Sequence, residues 1–258
     1  MKNHFLPDHH DWGVGVLLRG NNQFPIIVRK ITTVNPEHRI TSDNAVNEND
    51  QPLAVAISGA SGVIYGIRLL RELVRLGRRV HWTITGPAVQ IVGSETSYHV
   101  DPQTGETDWW DDSPDNIAFF HPAEDVGAPP ASGSYPLAGM AVIPCSGGTL
   151  GRLAAGTSDD LAGRMAEVCL KEKRPLIVVP RETPISLIHI RNMEILCQAG
   201  ATILPASPGF YHSPESVEDL VDFVVSCVLR HLGINSSHLL RGGWGAIRST
   251  VEGEGMCE

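Results

Sequence analysis

The chain has no stretch near the roughly 18 consecutive apolar residues of a membrane-spanning helix, so it does not read as a membrane protein. It also lacks a positive balance. Lys and Arg number 20 against 29 Asp and Glu, a net charge of −9, which argues against a nucleic-acid groove or an anionic membrane as the main partner. Its five cysteines (Cys145, Cys169, Cys197, Cys227 and Cys257) are odd in number and never spaced C-x-x-C. That excludes a disulfide framework and a cysteine zinc site, and fits free thiols in a reducing compartment, so the chain reads as cytoplasmic. The N-terminus has no apolar signal core and is too acidic for a transit peptide. No internal repeat of 20–50 residues is present.

What the chain does have is a core's worth of apolar residues, 42% of 258, which suits one α/β domain ahead of the alternative of two small ones. Residues 1–50 stand apart as an N-terminal extension, with Asn- and Asp-rich sequence around 41–51 reading as a linker. Residues 51–235 form the main domain and 236–258 a C-terminal tail. From Leu53 the pattern alternates. A strand over Leu53–Ile57 precedes a helix with Ile64, Ile67, Leu70, Leu73 and Val74 on one face, ending at Gly77. Strands follow at Val80–Thr85, Met140–Ile143, Leu176–Val179 and Ala201–Leu204, with helices over Asp160–Lys173, Pro184–Ala199 and Val217–Leu232. Residues 97–135 read as a long polar excursion, the kind of loop that is usually functional or mobile. Such alternation predicts a mostly parallel sheet with helices on both faces, whose ligands sit at the carboxyl ends of the strands.

Those ends carry the candidates. Leu53-Ala-Val-Ala-Ile-Ser-Gly-Ala-Ser-Gly62 runs a strand into a small-residue turn before a helix, leaving backbone N–H groups at the positive end of a helix dipole, a natural phosphate site. Gly59-Ala-Ser-Gly62 lacks the full G-x-G-x-x-G spacing and equally suits a tight turn with no ligand. A second turn of this kind, Cys145-Ser-Gly-Gly-Thr149, strengthens the phosphate reading, with hydroxyls from Ser61, Ser146 and Thr149. Arg181-Glu182 directly follows a buried strand. It reads either as an anion clamp with an adjacent proton-handling carboxylate or as a structural ion pair. Arg164 and Lys171 share a helix face, where charges are commonly just solvated. Glu95 fits a surface carboxylate, Tyr211 either packing or a ring offered to a ligand, and His189 a satisfied core histidine. Cys145 reads as a small, partly buried thiol, not an activated nucleophile.

In combination these motifs resemble a known family. Gly59-Ala-Ser-Gly62, Ala128-Pro-Pro-Ala-Ser-Gly133, Pro144-Cys-Ser146, Leu170-Lys-Glu-Lys-Arg-Pro-Leu176, Pro180-Arg-Glu-Thr-Pro184, Ile188-His-Ile-Arg-Asn-Met193, Pro208-Gly-Phe-Tyr-His212 and Ser216-Val-Glu-Asp-Leu-Val-Asp-Phe-Val224 occur in order. The set resembles the UbiX-type flavin prenyltransferases over about Leu53–Ile234. The resemblance implies a three-layer α/β/α flavodoxin-like (Rossmann-like) fold and transfer of a dimethylallyl group from dimethylallyl phosphate to N5 and C6 of reduced FMN. It implies no metal, a homo-oligomer (commonly a dodecamer) with active sites shared between subunits, and delivery of prenylated FMN to a UbiD-type decarboxylase.

By the same resemblance, Gly59, Ala60, Ser61, Thr85, Ser146, Gly147, Gly148, Thr149 and Arg181 contact the flavin. Glu95, Arg164, Lys171, Glu182 and Tyr211 surround the prenyl phosphate, and Ser61, Glu95, Lys171 and Glu182 are the catalytic set. Loss of phosphate from an allylic carbon calls for cations around the leaving anion, which this set supplies. Two positions depart from the family pattern. Cys227 stands where an Arg or Lys is expected on the prenyl phosphate, and Asp160 where an Asn is usual. One lost cation and one added negative charge would both weaken anion binding. Trp244 lies near a tryptophan of the family's tail at a different spacing. The alternatives are an FMN-dependent cysteine-type decarboxylase of the same fold, whose catalytic histidine and asparagine-methionine signature are not in place here, and a non-catalytic FMN-binding module.

Overall fold

The computed structural model describes residues 51–239 except 112, 113 and 115. Residues 1–50 and the C-terminal stretch that holds Trp244 and Cys257 therefore lie outside the described residues. Among the described residues there are six strands and six α-helices, in the order β1 (Leu53–Ile57), α1 (Val63–Arg75), β2 (Val80–Ile84), α2 (Gly86–Glu95), β3 (Ala118–Phe120), β4 (Gly139–Cys145), α3 (Gly147–Ala154), α4 (Leu161–Lys171), β5 (Leu176–Pro180), α5 (Leu187–Gln198), β6 (Thr202–Ile203) and α6 (Val217–His231). The strands form one sheet in the order β3-β2-β1-β4-β5-β6, and every pairing is parallel.

Period-two alternation sorts the core into two layers. Leu53, Val55 and Ile57 of β1 pack with apolar residues of α1, α2 and α6. Ala54 and Ala56 face the other way, toward α3, α4 and Leu196 of α5. β1 is buried throughout, as an interior parallel strand covered by helices on both faces must be. The result is a three-layer α/β/α flavodoxin-like fold.

The chain leaves β1 toward β2 and β3 and later returns on the other side through β4, so the topological switch lies between β1 and β4, where doubly wound sheets bind ligands. Ser58 ties the two strand ends together there. Its buried hydroxyl donates to the Pro144 carbonyl (2.9 Å) and accepts from the Ser146 N–H (2.9 Å).

Three elements are absent from the sequence-based outline. α2 opens Gly86-Pro87, a pair that reads as a turn, yet Pro suits a first helical turn because its missing N–H would be unpaired there anyway. α3 (Gly147-Gly-Thr-Leu-Gly-Arg-Leu-Ala154) carries three glycines and a poor intrinsic propensity. The Ser146 cap on the Thr149 N–H and burial of Leu150 and Leu153 hold it. The excursion expected to be irregular contributes β3 as an edge strand. It is pinned by an aromatic cluster in which Trp82 of β2 lies 5.3 Å from Trp109 and 4.6 Å from Phe120, ring centre to ring centre.

Candidate functional site

Two openings line the carboxyl edge, one on each side of the start of α3. The first is a cleft of about 510 Å³ at the ends of β1, β2 and β4, bordered by Gly59, Thr85, Ser146, Thr149, Arg152 and Asp160 among others. That is within the usual size range of small-molecule sites. Gly59 must be glycine there, since a Cβ would lie 2.5 Å from the Cβ of Pro87 on α2. Thr85 caps the start of α2, and its buried hydroxyl has no partner of its own. An orphaned buried hydroxyl at a cleft mouth is costly unless a ligand satisfies it. Thr149 is the better held: its Oγ1 accepts from Ser146 Oγ (3.0 Å) and from Arg152 Nη2 (3.1 Å).

The second is a cavity of about 150 Å³ at the ends of β4, β5 and β6, lined by Cys145, Gly147, Arg181, Glu182, His189 and Ser207 among others. Burial pushes the Cys145 thiol up to about 12, so it stays protonated near neutrality, as expected of a thiol that is not a nucleophile. It is fully buried, more so than its sequence suggests. His189 is corrected outright. It is only half-buried and lines this cavity, because the first turns of α5 are exposed and only Leu196, two turns on, reaches the core.

Between the openings stands the start of α1. Gly62 adopts a positive φ of 91°, a conformation open to glycine, and turns the chain from β1 into the helix. Its N–H donates to Glu95 Oε2 at 2.7 Å, so the end of α2 is tied to the phosphate-type turn and Glu95 is not a loose surface carboxylate. Arg181 reaches the same place: a Cβ on Gly62 would lie 3.9 Å from its Cγ. Burial raises the Tyr65 hydroxyl above its ordinary value, against the pull of Arg181. The structure thus gathers Ser61, Glu95 and Arg181 around one helix N-terminus, a convergence of elements far apart in sequence.

Not every candidate joins it. Arg164 lies on the outward face of α4, paired with Glu167 at 2.9 Å. Lys171 ends that helix just before the chain turns into β5, and so lies at the amino edge of the sheet. Its Nζ is 3.6 Å from Glu172 and 3.1 Å from where a Gly133 Cβ would be. An eleven-residue helix spans about 16 Å, so Lys171 does not reach the Arg181 site of its own chain.

Asp160 is met by local structure. Its Oδ1 caps α4 by accepting from the Gly163 N–H (2.7 Å), and its Oδ2 lies 3.6 Å from Arg152. Tyr211 is exposed beyond β6, edge-on to Phe223 of α6 at 5.5 Å. One turn along α6, Cys227 receives a hydrogen bond from Arg230 Nη2 at 3.3 Å, so a positive charge stands beside it. Sequence reasoning missed Arg152, Tyr65 and Arg230. Arg152 and Arg230 each lie three residues from a flagged position, Thr149 and Cys227, and Tyr65 four from Ser61; helical spacing was the available signal. Among the described residues no three His, Cys, Asp or Glu side chains are placed to share a metal ion, and no helix is long and apolar enough to cross a membrane.

A family model described as Flavoprotein matches residues 41–229. The chain is 47% identical over 194 residues to the flavin prenyltransferase UbiX of Halalkalibacterium halodurans, spanning 75% of this chain and 93% of that one. It is 46% identical over 196 residues to the flavin prenyltransferase UbiX of Pseudomonas aeruginosa, spanning 74% and 93%. Among solved structures it is similar to AnUbiX (PadA1) in complex with FMN and dimethylallyl pyrophosphate, with a TM-score of 0.67, 38% identity and coverage of 75% of this chain and 98% of that one. It is also similar to a dodecameric FMN-dependent UbiX-like decarboxylase from Escherichia coli O157:H7, with a TM-score of 0.65, 38% identity and coverage of 72% and 96%.

Proposed function

The chain belongs to the UbiX-type flavin prenyltransferases of the flavoprotein family, and from that premise we propose how its carboxyl-edge site makes prenylated FMN from reduced FMN and a dimethylallyl donor. The activity is that of a prenyl-group transferase, and FMN is its flavin.

The observation that carries the assignment is the first cleft, whose buried, unpartnered Thr85 hydroxyl and glycine-only floor at Gly59 suit a flat, polar-edged ligand. Gly59, Ala60, Ser61, Thr85, Ser146, Gly147, Gly148, Thr149 and Arg181 hold the flavin. The flavin supplies the nucleophilic N5 and C6. The protein's task is to orient the two partners, exclude water and receive the leaving phosphate. Ser61 and the α1 N-terminus face that anion, Arg181 adds a bidentate cation, and Glu182 beside it takes or returns a proton. Tyr211 presents an aromatic face to the positive charge that develops on the allyl group. Cys227 stands where the family has a cation; Arg230, which hydrogen-bonds its sulfur, lies near the end of α6 at the amino edge of the sheet, so like Lys171 it would bring its charge to the site of a neighbouring copy.

Arg164 and Lys171 serve the site of a neighbouring copy, because one chain holds Lys171 at the far edge of the sheet. The exposed apolar residues Ile185, Leu187, Ile188 and Ile190 give such a copy a surface to cover, and a dodecameric relative is of the same build. The reading needs no metal, takes place in the cytoplasm, and ends in delivery of the product to a UbiD-type decarboxylase.

Anaerobic incubation with reduced FMN and dimethylallyl phosphate, followed by the mass of the flavin, tests the reading. A gain of one prenyl unit supports it; unchanged FMN, tightly bound, overturns it in favour of a binding module. Running the diphosphate in parallel identifies the donor.

A further inference from the structure

Three hydrogen-bond donors without acceptors of their own border the first cleft. The buried Thr85 hydroxyl is one. Thr149 is the second. Its Oγ1 accepts from Ser146 Oγ (3.0 Å) and from Arg152 Nη2 (3.1 Å), so both lone pairs are taken and its own proton is left to donate. The third is Arg152. Its Nη2 is held by Thr149 and lies 3.6 Å from Asp160 Oδ2, and its Nε lies 3.4 Å from Asp159 Oδ1. Its Nη1 donates no hydrogen bond among the described residues. That nitrogen lies beside the first turn of α3, where a Cβ on Gly148 would be 3.8 Å from it.

The charges of this rim make Arg152 decisive. Among the described residues it is the only basic side chain lining the cleft, against Glu124, Asp159 and Asp160. Asp160 already uses Oδ1 to cap α4, and both aspartates face the guanidinium. Arg152 therefore offsets the acid of the rim while keeping Nη1 for a ligand, in a fork whose other nitrogens are fixed. A phosphate presents acceptor oxygens in several directions, which suits three donors converging from α2, α3 and the guanidinium.

We infer that Arg152 offers Nη1 to the phosphate of FMN and so sets the preference of this chain for FMN over riboflavin. The inference rests on the flavin occupying the first cleft. Without Arg152 the rim keeps three carboxylates and repels a dianion, whereas riboflavin, which has no phosphate, is indifferent to that charge.

Fluorescence titration of the flavin-free full chain with FMN and with riboflavin tests it. Arg152→Gln removes the charge and leaves an amide able to donate to Thr149. Its FMN Kd should rise about 10- to 100-fold, the scale of one lost charged hydrogen bond, with riboflavin Kd within about twofold. Because the Arg152 side chain is 38% exposed, the FMN Kd of the parent should rise with salt, and that of Arg152→Gln should depend on salt less. Arg152→Lys should recover part of the FMN affinity. So should Asp160→Asn in the Arg152→Gln background, since it keeps the capping oxygen and removes one negative charge. Parent-like FMN affinity in Arg152→Gln would overturn the inference, as would equal losses for FMN and riboflavin, the mark of a merely structural role. Gly59→Ala is measured alongside and should weaken both flavins by pressing on Pro87. Parent-like binding of both there refutes the cleft as the flavin site, a failure distinct from that of Arg152.

Discussion

The same substitution, glycine to alanine inside a helix, should have opposite effects at two positions of this protein. Gly66 lies on the sheet-facing side of α1, where a Cβ would sit 2.4 Å from the Ile143 carbonyl oxygen and 2.7 Å from Ile57 Cγ1. Gly93 lies in α2 with nothing within 4 Å of its Cβ position. Helix propensity alone favours alanine by about 1 kcal/mol at either site. At Gly66 that gain meets an overpacking cost of about 3 kcal/mol, the upper part of the usual range, because a backbone carbonyl cannot rotate aside as a side chain does. The net expectations are about 2 kcal/mol of destabilisation for Gly66→Ala and about 1 kcal/mol of stabilisation for Gly93→Ala. For a domain of this size the gap of about 3 kcal/mol is roughly 6–12 °C in Tm. Calorimetry at equal protein concentration, without added flavin, measures it. FMN affinity supplies a second readout, since moving α1 off β4 displaces Gly62 from Glu95; Gly66→Ala should bind FMN more weakly and Gly93→Ala unchanged. If Gly66→Ala were as stable as the parent, the close seat of α1 on the switch point would be wrong.

Arg230→Ala should raise the donor KM about 10- to 100-fold, the scale of one lost charged hydrogen bond, and Cys227→Arg should restore it in that background while changing the parent little; steady-state kinetics decides. A mixture of Lys171→Ala and Arg181→Ala subunits, reassembled together, should regain part of the activity that each lacks alone, whereas a self-contained site would regain none. Burial, with His121 and Arg79 nearby, depresses the His81 imidazole to about 4 from an ordinary 6.5. Below pH 6.5 the unfolded chain takes up a proton that the fold refuses, so stability falls as pH drops from 6.5 toward 4, and His81→Asn should make that slope shallower in denaturant titrations. Desolvation raises the fully buried Glu72 carboxyl, but hydrogen bonds from Arg75 (2.6 Å), His238 (2.6 Å) and Arg68 (3.1 Å) outweigh it and hold the group below its ordinary value. Its contribution is present above pH 4.5 and lost as pH falls further. Glu72→Gln should cost about 1–3 kcal/mol at neutral pH and expose residues 236–239 to proteolysis, because His238 loses its anchor on α1.

The sequence by itself determined the layered sheet and most of the carboxyl-edge rim. Leu53–Ile57 and Leu176–Pro180 are short, wholly apolar runs ending in small or charged residues, and such runs have few stable uses other than interior parallel strands with loops at one rim. Capping signals were equally local: Ser146, Asp160, Ser186 and Ser216 each precede a helix that their side chains cap. The sequence could not reveal what depends on distance in space. α3 and β3 carry too weak a local signal and exist because Leu150, Leu153 and the Trp82 cluster bury apolar surface against elements far away in the chain. Only the tertiary structure could bring Glu95 to the Gly62 N–H across 33 residues, turn His189 out of the core toward the cavity by Gly147, and set Arg152 beside Asp160. It also decided that Lys171, one helix from the rim in sequence, lies at the opposite edge. The direction of α4, fixed by the parallel crossover from β4 to β5, put it there.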